Sequence, residues 1–285
     1  MMDAAIVVGV DGSPTAWSAL AWAAEDAERR HLPLRVVHVR EPWLAEHPLG
    51  ASSDEETRTE RCDRLLADSA ARARELAPGA RVSTALVTGA VIERLKTESE
   101  TADAVVVGSR GRGGFAGLVL GSVGLGLAGY AECPVVVVRR LPRGGGGDIV
   151  VGYDGSRWAD MALEYAMAQA AARRSRLRVL YGQRYPAMTP HPAGFGPLPV
   201  DEVSDIRQRL IAWRDKHPGI DLVASTVREH PVPALAAASR EADLVVVGSR
   251  GLGGFASAML GSVSHGILHR SHCPVVVVGA LRGRP

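Results

Sequence analysis

The strongest constraint on this chain is that it spells nearly the same text twice. VGVDGS at 8–13 returns as VGYDGS at 151–156, an offset of 143. VVVGSRG at 105–111 returns at 245–251, and CPVVVV at 133–138 returns at 273–278, both with an offset of 140. A period this long excludes a solenoid of short repeats and means two copies of a whole domain. The drop from 143 to 140 gives the first copy three more residues between its first and fourth strands. The copies are expected at 1–140 and 148–285, joined by LPRGGGG at 141–147, a linker by its glycine content.

Within each copy, apolar runs alternate with helical patterns. Residues 5–10, 34–39, 81–87, 104–108 and 134–138 read as strands in the first copy. The second repeats them near 148–153, 177–182, 220–227, 244–248 and 274–278. Helices are expected after Ser13, over 57–77, over 90–100 and over 122–131. Ser13 suits an N-cap and Pro14 the first helical position. Ala16, Leu20, Ala23 and Ala27 recur at helical spacing and form the face that meets the sheet. Continuous valine runs separated by helices mark strands buried on both faces of a parallel sheet. The fold class is therefore α/β, with two doubly wound five-stranded domains. The segments after the second strand, 41–56 and 184–199, differ between copies and read as surface excursions.

At 285 residues the chain can bury two cores. A formal net charge of +2 announces no nucleic-acid surface. No apolar run reaches the roughly 18–20 residues that cross a bilayer. The N-terminus carries an acidic residue where a secretion signal carries basic ones. A cytoplasmic protein with no membrane or nucleic-acid partner is expected. Cys62, Cys133 and Cys273 form no CxxC pair and read as reduced thiols, the last two buried.

The chemistry is written in glycine. Gly108 closes the fourth strand, Gly111 follows, and Gly121-Ser122 opens a helix, giving G-x2-G-x9-G-S. Gly248, Gly251, Gly261 and Ser262 reproduce the spacing. In a doubly wound sheet, ligands bind beyond the carboxyl ends of the strands, where the winding reverses. A helix start there offers unpaired N–H groups and the positive end of a dipole to an anion. The competing reading is that these glycines only shape turns and close packing. The repetition of the full spacing favours a phosphate cradle.

With the VGVDGS and VGYDGS openings, the two glycine segments and the CPVVVV strands in place, the chain resembles a tandem universal stress protein, over nearly its whole length. The resemblance implies a Rossmann-like, adenine nucleotide alpha hydrolase-like fold with strand order 3-2-1-4-5. It further implies the family's ATP-binding branch, with Mg²⁺ accompanying the nucleotide. The site residues carried over are Asp11, Val39, Gly108, Gly111, Gly121, Ser122 and Val123 in the first copy. Asp154, Gly182, Gly248, Gly251, Gly261, Ser262 and Val263 are their counterparts in the second. Gly182 stands where the first copy has Val39, so weaker binding is expected there. The family pattern also implies that the fifth strands pair antiparallel, between copies or between chains, and a homodimer is expected.

Other signals are weaker. There is no G-x4-G-K-[ST] motif, so binding without fast turnover is expected of a stress-response regulator or sensor with an unidentified protein partner. The alternative is a slow ATPase or nucleotidyl-transferring enzyme on the same fold. No catalytic residue is assigned. Asp11 and Asp154 either order their turns and meet the adenosine or hold Mg²⁺ through water. Arg110 and Arg250 either reach phosphates or stand in solvent. His265, His269 and His272 fit a helix surface or an inter-domain contact better than a metal.

Overall fold

The computed structural model describes residues 4–41, 54–111, 120–141, 146–182, 200–227, 229–252 and 260–279, with 54–58, 182 and 200–205 described by their backbone. The first half contains β1 (Ile6–Gly9), α1 (Pro14–Arg30), β2 (Leu34–Arg40), α2 (Asp54–Leu76) and β3 (Val82–Thr88). It continues with α3 (Val91–Ser99), β4 (Ala104–Gly108), α4 (Ser122–Tyr130) and β5 (Val135–Val138). The second half repeats this order as β6 (Asp148–Gly152), α5 (Arg157–Arg173), β7 (Leu177–Gly182), α6 (Val200–Lys216) and β8 (Leu222–Val227). Then come α7 (Pro231–Ala238), β9 (Ala242–Gly248), α8 (Ser262–Arg270) and β10 (Val275–Val278).

All ten strands join one sheet in the order β3-β2-β1-β4-β5-β10-β9-β6-β7-β8. Each half runs 3-2-1-4-5 as expected, and within each half every pair is parallel. The halves meet at β5 and β10, which pair antiparallel with Val136 opposite Val276. The fifth strands therefore cover each other within one chain. Valine explains their central place: β5 and β10 are buried at every position, as is β9. The outer strands β3 and β8 are partly exposed, at Ser83, Thr84 and Thr88 in the one and at Val223, Ala224 and Thr226 in the other.

Helices α1, α2, α5 and α6 pack on one face around Leu20, Trp22, Leu163 and Met167. The faces of α3, α4, α7 and α8 close the other around Leu95, Leu127, Leu235 and Ile267. Local signals set the ends of α1 and α5. Ser13 and Ser156 accept from Ala16 N–H and Ala159 N–H at 3.2 Å, and His31 and Arg174 close the helices with left-handed φ of 53° and 52°.

The two halves also share a buried polar junction. Asp26, on α1, is fully buried and receives Arg173 of α5 at 2.8 Å and Arg30 at 3.4 Å. Gln169 Nε2 donates to the same carboxylate at 3.1 Å. At an offset of 143, Asp26 and Gln169 are counterparts, as are Arg30 and Arg173. One carboxylate thus answers two arginines across the pseudo-twofold axis.

The end of the glycine linker is tied down. Gly146 and Gly147 donate to Asp243 Oδ2 at 3.0 and 2.9 Å. Most of the excursions after β2 and β7 lies outside the described residues. No helix among those described is long and apolar enough to cross a membrane.

Candidate functional site

β1 and β4 are neighbours in the sheet, but the connection from β1 runs through α1 on one face and that from β4 through α4 on the other. Their carboxyl ends flank the reversal point where doubly wound sheets open a crevice. β6 and β9 do the same in the second half.

The first wall is the turn after β1. Asp11 Oδ1 accepts from Ser13 N–H at 2.9 Å, and Asp154 Oδ1 accepts from Ser156 N–H at 3.0 Å. Gly12 and Gly155 take φ of +79° and +78°, a conformation that favours glycine. His38 Nδ1 lies 2.7 Å from Val10 O and steadies the approach to the turn. In the second copy Leu252 N–H also donates to Asp154 Oδ2 at 3.0 Å, strapping the loop after β9 to the carboxylate.

The glycines separate into three roles. A Cβ on Gly108 would lie 2.7 Å from Thr15 C and 2.8 Å from Ala16 N, so this glycine lets β4 touch the start of α1. Gly248 meets Trp158 backbone at 2.8 Å in the same way. For this pair, bareness serves packing. Gly111 differs: among the described residues its Cβ would meet only Asp11, 2.7 Å from Oδ2, and the Cβ of Gly251 would run into Asp154 Oδ2. Each leaves no side chain where loop meets carboxylate, a notch that Leu252 N–H bridges in the second copy. Gly121 and Gly261 begin α4 and α8, and their N–H groups donate at 2.7 Å to Ser109 O and Ser249 O, drawing loop and helix start together.

Among the described residues neither α4 nor α8 has a side-chain cap, in contrast to α1 and α5. The N–H groups of Ser122, Val123 and Gly124 have no intrahelical carbonyl to reach, nor do those of Ser262, Val263 and Ser264. Ser122 and Ser262 are exposed; Val123 and Val263 lean on the apolar layer beneath. An anion at such a start gains about 0.3–1 kcal/mol, and more where water is partly excluded. The hydroxyl of Ser109, in the loop after β4, is 2% exposed and has no partner among the described residues. A buried hydroxyl left unpaired is costly, and an incoming oxygen would relieve it.

Asp11, Gly111 and Gly121 thus surround one notch, with Ser122 and Val123 beginning the helix above it. Val39, half-buried near the end of β2, packs against the layer containing α3 and pairs with Val87. Gly182 occupies the same register at the end of β7, opposite Val227. The two copies also differ at a position not singled out from the sequence. Thr15 exchanges hydrogen bonds with the backbone of Arg110 through its hydroxyl, whereas its counterpart Trp158 lies under the guanidinium groups of Arg157 and Arg250 at 4.5 and 5.9 Å. Aligning the copies displays the Thr/Trp exchange, but only the fold shows that it faces the loop. Among the described residues no group of three or more His, Cys, Asp or Glu side chains is arranged to hold a metal ion.

Comparison with known proteins agrees with this architecture. The profile of the Universal stress protein family matches residues 4–139 and 147–279. Universal stress protein Rv2623 of Mycobacterium tuberculosis is 34% identical over 287 residues, covering 95% of both chains. Universal stress protein Rv1996 of the same organism is 32% identical over 298 residues, covering 95% of this chain and 94% of the other. The crystal structure of a universal stress protein from Archaeoglobus fulgidus shares the fold with a TM-score of 0.74 at 23% identity, over 96% of each chain. Two tandem matches that leave only residues 1–3, 140–146 and 280–285 uncovered place the chain in one group: it belongs to the universal stress protein family.

Proposed function

We propose that the chain binds ATP, one molecule per half, and acts as a nucleotide-dependent regulator or sensor of stress rather than as a fast enzyme. The carrying observation is the paired notch: a bare glycine facing an aspartate, below an uncapped helix start, built twice. Asp11 with Val39 would meet the adenosine end, and Gly111, Gly121, Ser122 and Val123 the ribose and phosphates. Asp154, Gly182, Gly251, Gly261, Ser262 and Val263 would do the same in the second half. Gly108 and Gly248 set the floor of each crevice by letting strand and helix touch. Mg²⁺ would accompany the phosphates, with the neighbouring aspartate as its available carboxylate.

Residues 109–121 and 249–261 contain no lysine to follow charge onto a leaving phosphate, which supports retention over turnover. A cytoplasmic setting and an unidentified protein partner belong to this reading. A homodimer would form on a surface other than β5 and β10, which already pair with each other.

Native mass spectrometry with ATP tests the proposal. Two nucleotides per chain are expected, falling to one in Gly111→Glu and one in Gly251→Glu, with the circular dichroism of both variants unchanged. No bound nucleotide at millimolar ATP, or two retained in either variant, would refute the assignment.

A further inference from the structure

The pseudo-twofold symmetry breaks down at one corner of the seam. Arg139, just beyond β5, donates to His269 O at 3.2 Å, reaching the last turn of α8 in the other half. His265 and His269 stand one turn apart on α8 with ring centroids 4.8 Å apart, and Arg270 follows. Burial, Arg140 and Arg110 lower the pKa of Arg139 from its ordinary value. Burial, His265, Arg139 and Arg270 lower that of His269. Burial and the neighbouring cations thus favour the neutral imidazole of His269, and Ser109 N–H, donating to Val138 O at 2.8 Å, ties the end of β5 to the loop after β4.

The mirror corner is built differently: Arg250 matches Arg110, and Lys96 Nζ lies 5.9 Å from the Tyr130 ring centroid at the end of α4, but the other cations have no counterpart. At an offset of 140, Leu125, Gly129 and Tyr130 replace His265, His269 and Arg270, and Gly279 replaces Arg139. Gly279 lies beside the end of α4, where its Cβ would come 3.6 Å from Ala131 O, as Arg139 lies beside the end of α8. That Cβ would also come 3.9 Å from Ser249 Oγ. By the same symmetry, the buried and unpartnered hydroxyl of Ser109 belongs beside Arg139. Arg139 beside Arg110, next to an unspent buried hydroxyl on the phosphate side of one notch, has no match at the other, where Gly279 replaces it, and this calls for an anion.

We propose that Ser109, Arg110 and Arg139, with His265 and His269 reaching across from the second half, hold the outer phosphates of the nucleotide in the first site. The first site then selects triphosphates over monophosphates, and the second discriminates much less. This rests on the adenine-nucleotide reading above and assigns the ligand class within it.

Calorimetry in two backgrounds tests it. Gly251→Glu leaves the first site and Gly111→Glu leaves the second. The ratio of ATP to AMP affinity is expected to be about tenfold larger in the first site, from charges acting at an effective dielectric near 20. Stripping the corner of its side-chain donors (Arg139→Gly and His265→Leu as in the mirror, with His269→Ala to keep the helix) should bring the first-site ratio down to that of the second and leave the second untouched. Should the triple variant fail to fold, Arg139→Gln alone in the Gly251→Glu background should lower the ratio about threefold. Equal ratios at the two sites, or a ratio indifferent to these substitutions while AMP and ATP still bind, would overturn the corner and leave the nucleotide reading standing. Binding of neither nucleotide in either background would overturn both.

Discussion

Two glycines three residues apart are expected to fail in opposite ways when given a single methyl group. In Gly108→Ala the new Cβ would lie 2.7 Å from Thr15 C and Oγ1 and 2.8 Å from Ala16 N. Ordinary carbon contacts sit near 3.5–4.0 Å, so β4 or the start of α1 must retreat by about 0.7 Å or more. The obstruction is largely backbone, in a turn already fixed by the Ser13 cap and by the Thr15 bonds to Arg110. Overpacking of this kind costs about 1–3 kcal/mol. For a domain of this size that lowers Tm by about 3–10 °C. In Gly111→Ala the one obstruction among the described residues is Asp11 Oδ2, a terminal oxygen that can turn aside, and the residue lacks the positive φ that would strain an alanine. Its stability should stay within about 0.5 kcal/mol of wild type. The methyl group nevertheless fills the notch, so ATP affinity should drop by about tenfold or more, some 1.4 kcal/mol. Thermal melts with and without ATP, together with calorimetric titration, measure both quantities. If Gly108→Ala melts with wild type, or if Gly111→Ala loses as much stability as Gly108→Ala, the division of roles between these glycines is wrong.

Other perturbations probe the junction and a thiol. Asp26→Ala leaves the guanidinium of Arg173, 9% exposed, without its charge partner. It should cost about 3–5 kcal/mol in denaturant unfolding, and an unchanged midpoint would deny the junction any part in stability. Burial pushes the Cys273 thiol up to about 12. Iodoacetamide at pH 8 should therefore leave it unmodified in the native protein and alkylate it after unfolding, as read by peptide mass spectrometry. Because the folded state holds this proton more tightly than the unfolded chain, the group's stabilising contribution is whole below about pH 9 and declines toward pH 12.

The duplicated text made the architecture legible because a buried parallel strand needs unbroken apolar residues and leaves an unmistakable run of valine. β4, β5, β9 and β10 were readable on that ground, and Ser13 announced its helix by the hydrogen bond that it makes. The antiparallel meeting of β5 and β10 followed from family likeness; identical edges say only that each wants a partner. Spacing alone did not distinguish Gly108, which yields to a helix, from Gly111, which faces a carboxylate. That difference depends on what the fold brings opposite each glycine. The Asp26 junction was hidden for a related reason: an acidic residue on an apolar helix face looks like a solvated exception until Arg173, 147 residues away, is seen against it. Sequence pairing of His265 and His269 raised an inter-domain contact, but not the arginine that makes it.

The head-to-tail meeting of the two central valine strands turns the crevices of the halves toward opposite poles of the molecule. A protein docking over one mouth cannot read the other directly. Each pole is consequently bordered by the underside of the opposite half, so a change in one copy's underside alters its neighbour's mouth and spares its own. Fusion of two equal units in this orientation gives drift a way to make them unequal, one rim at a time.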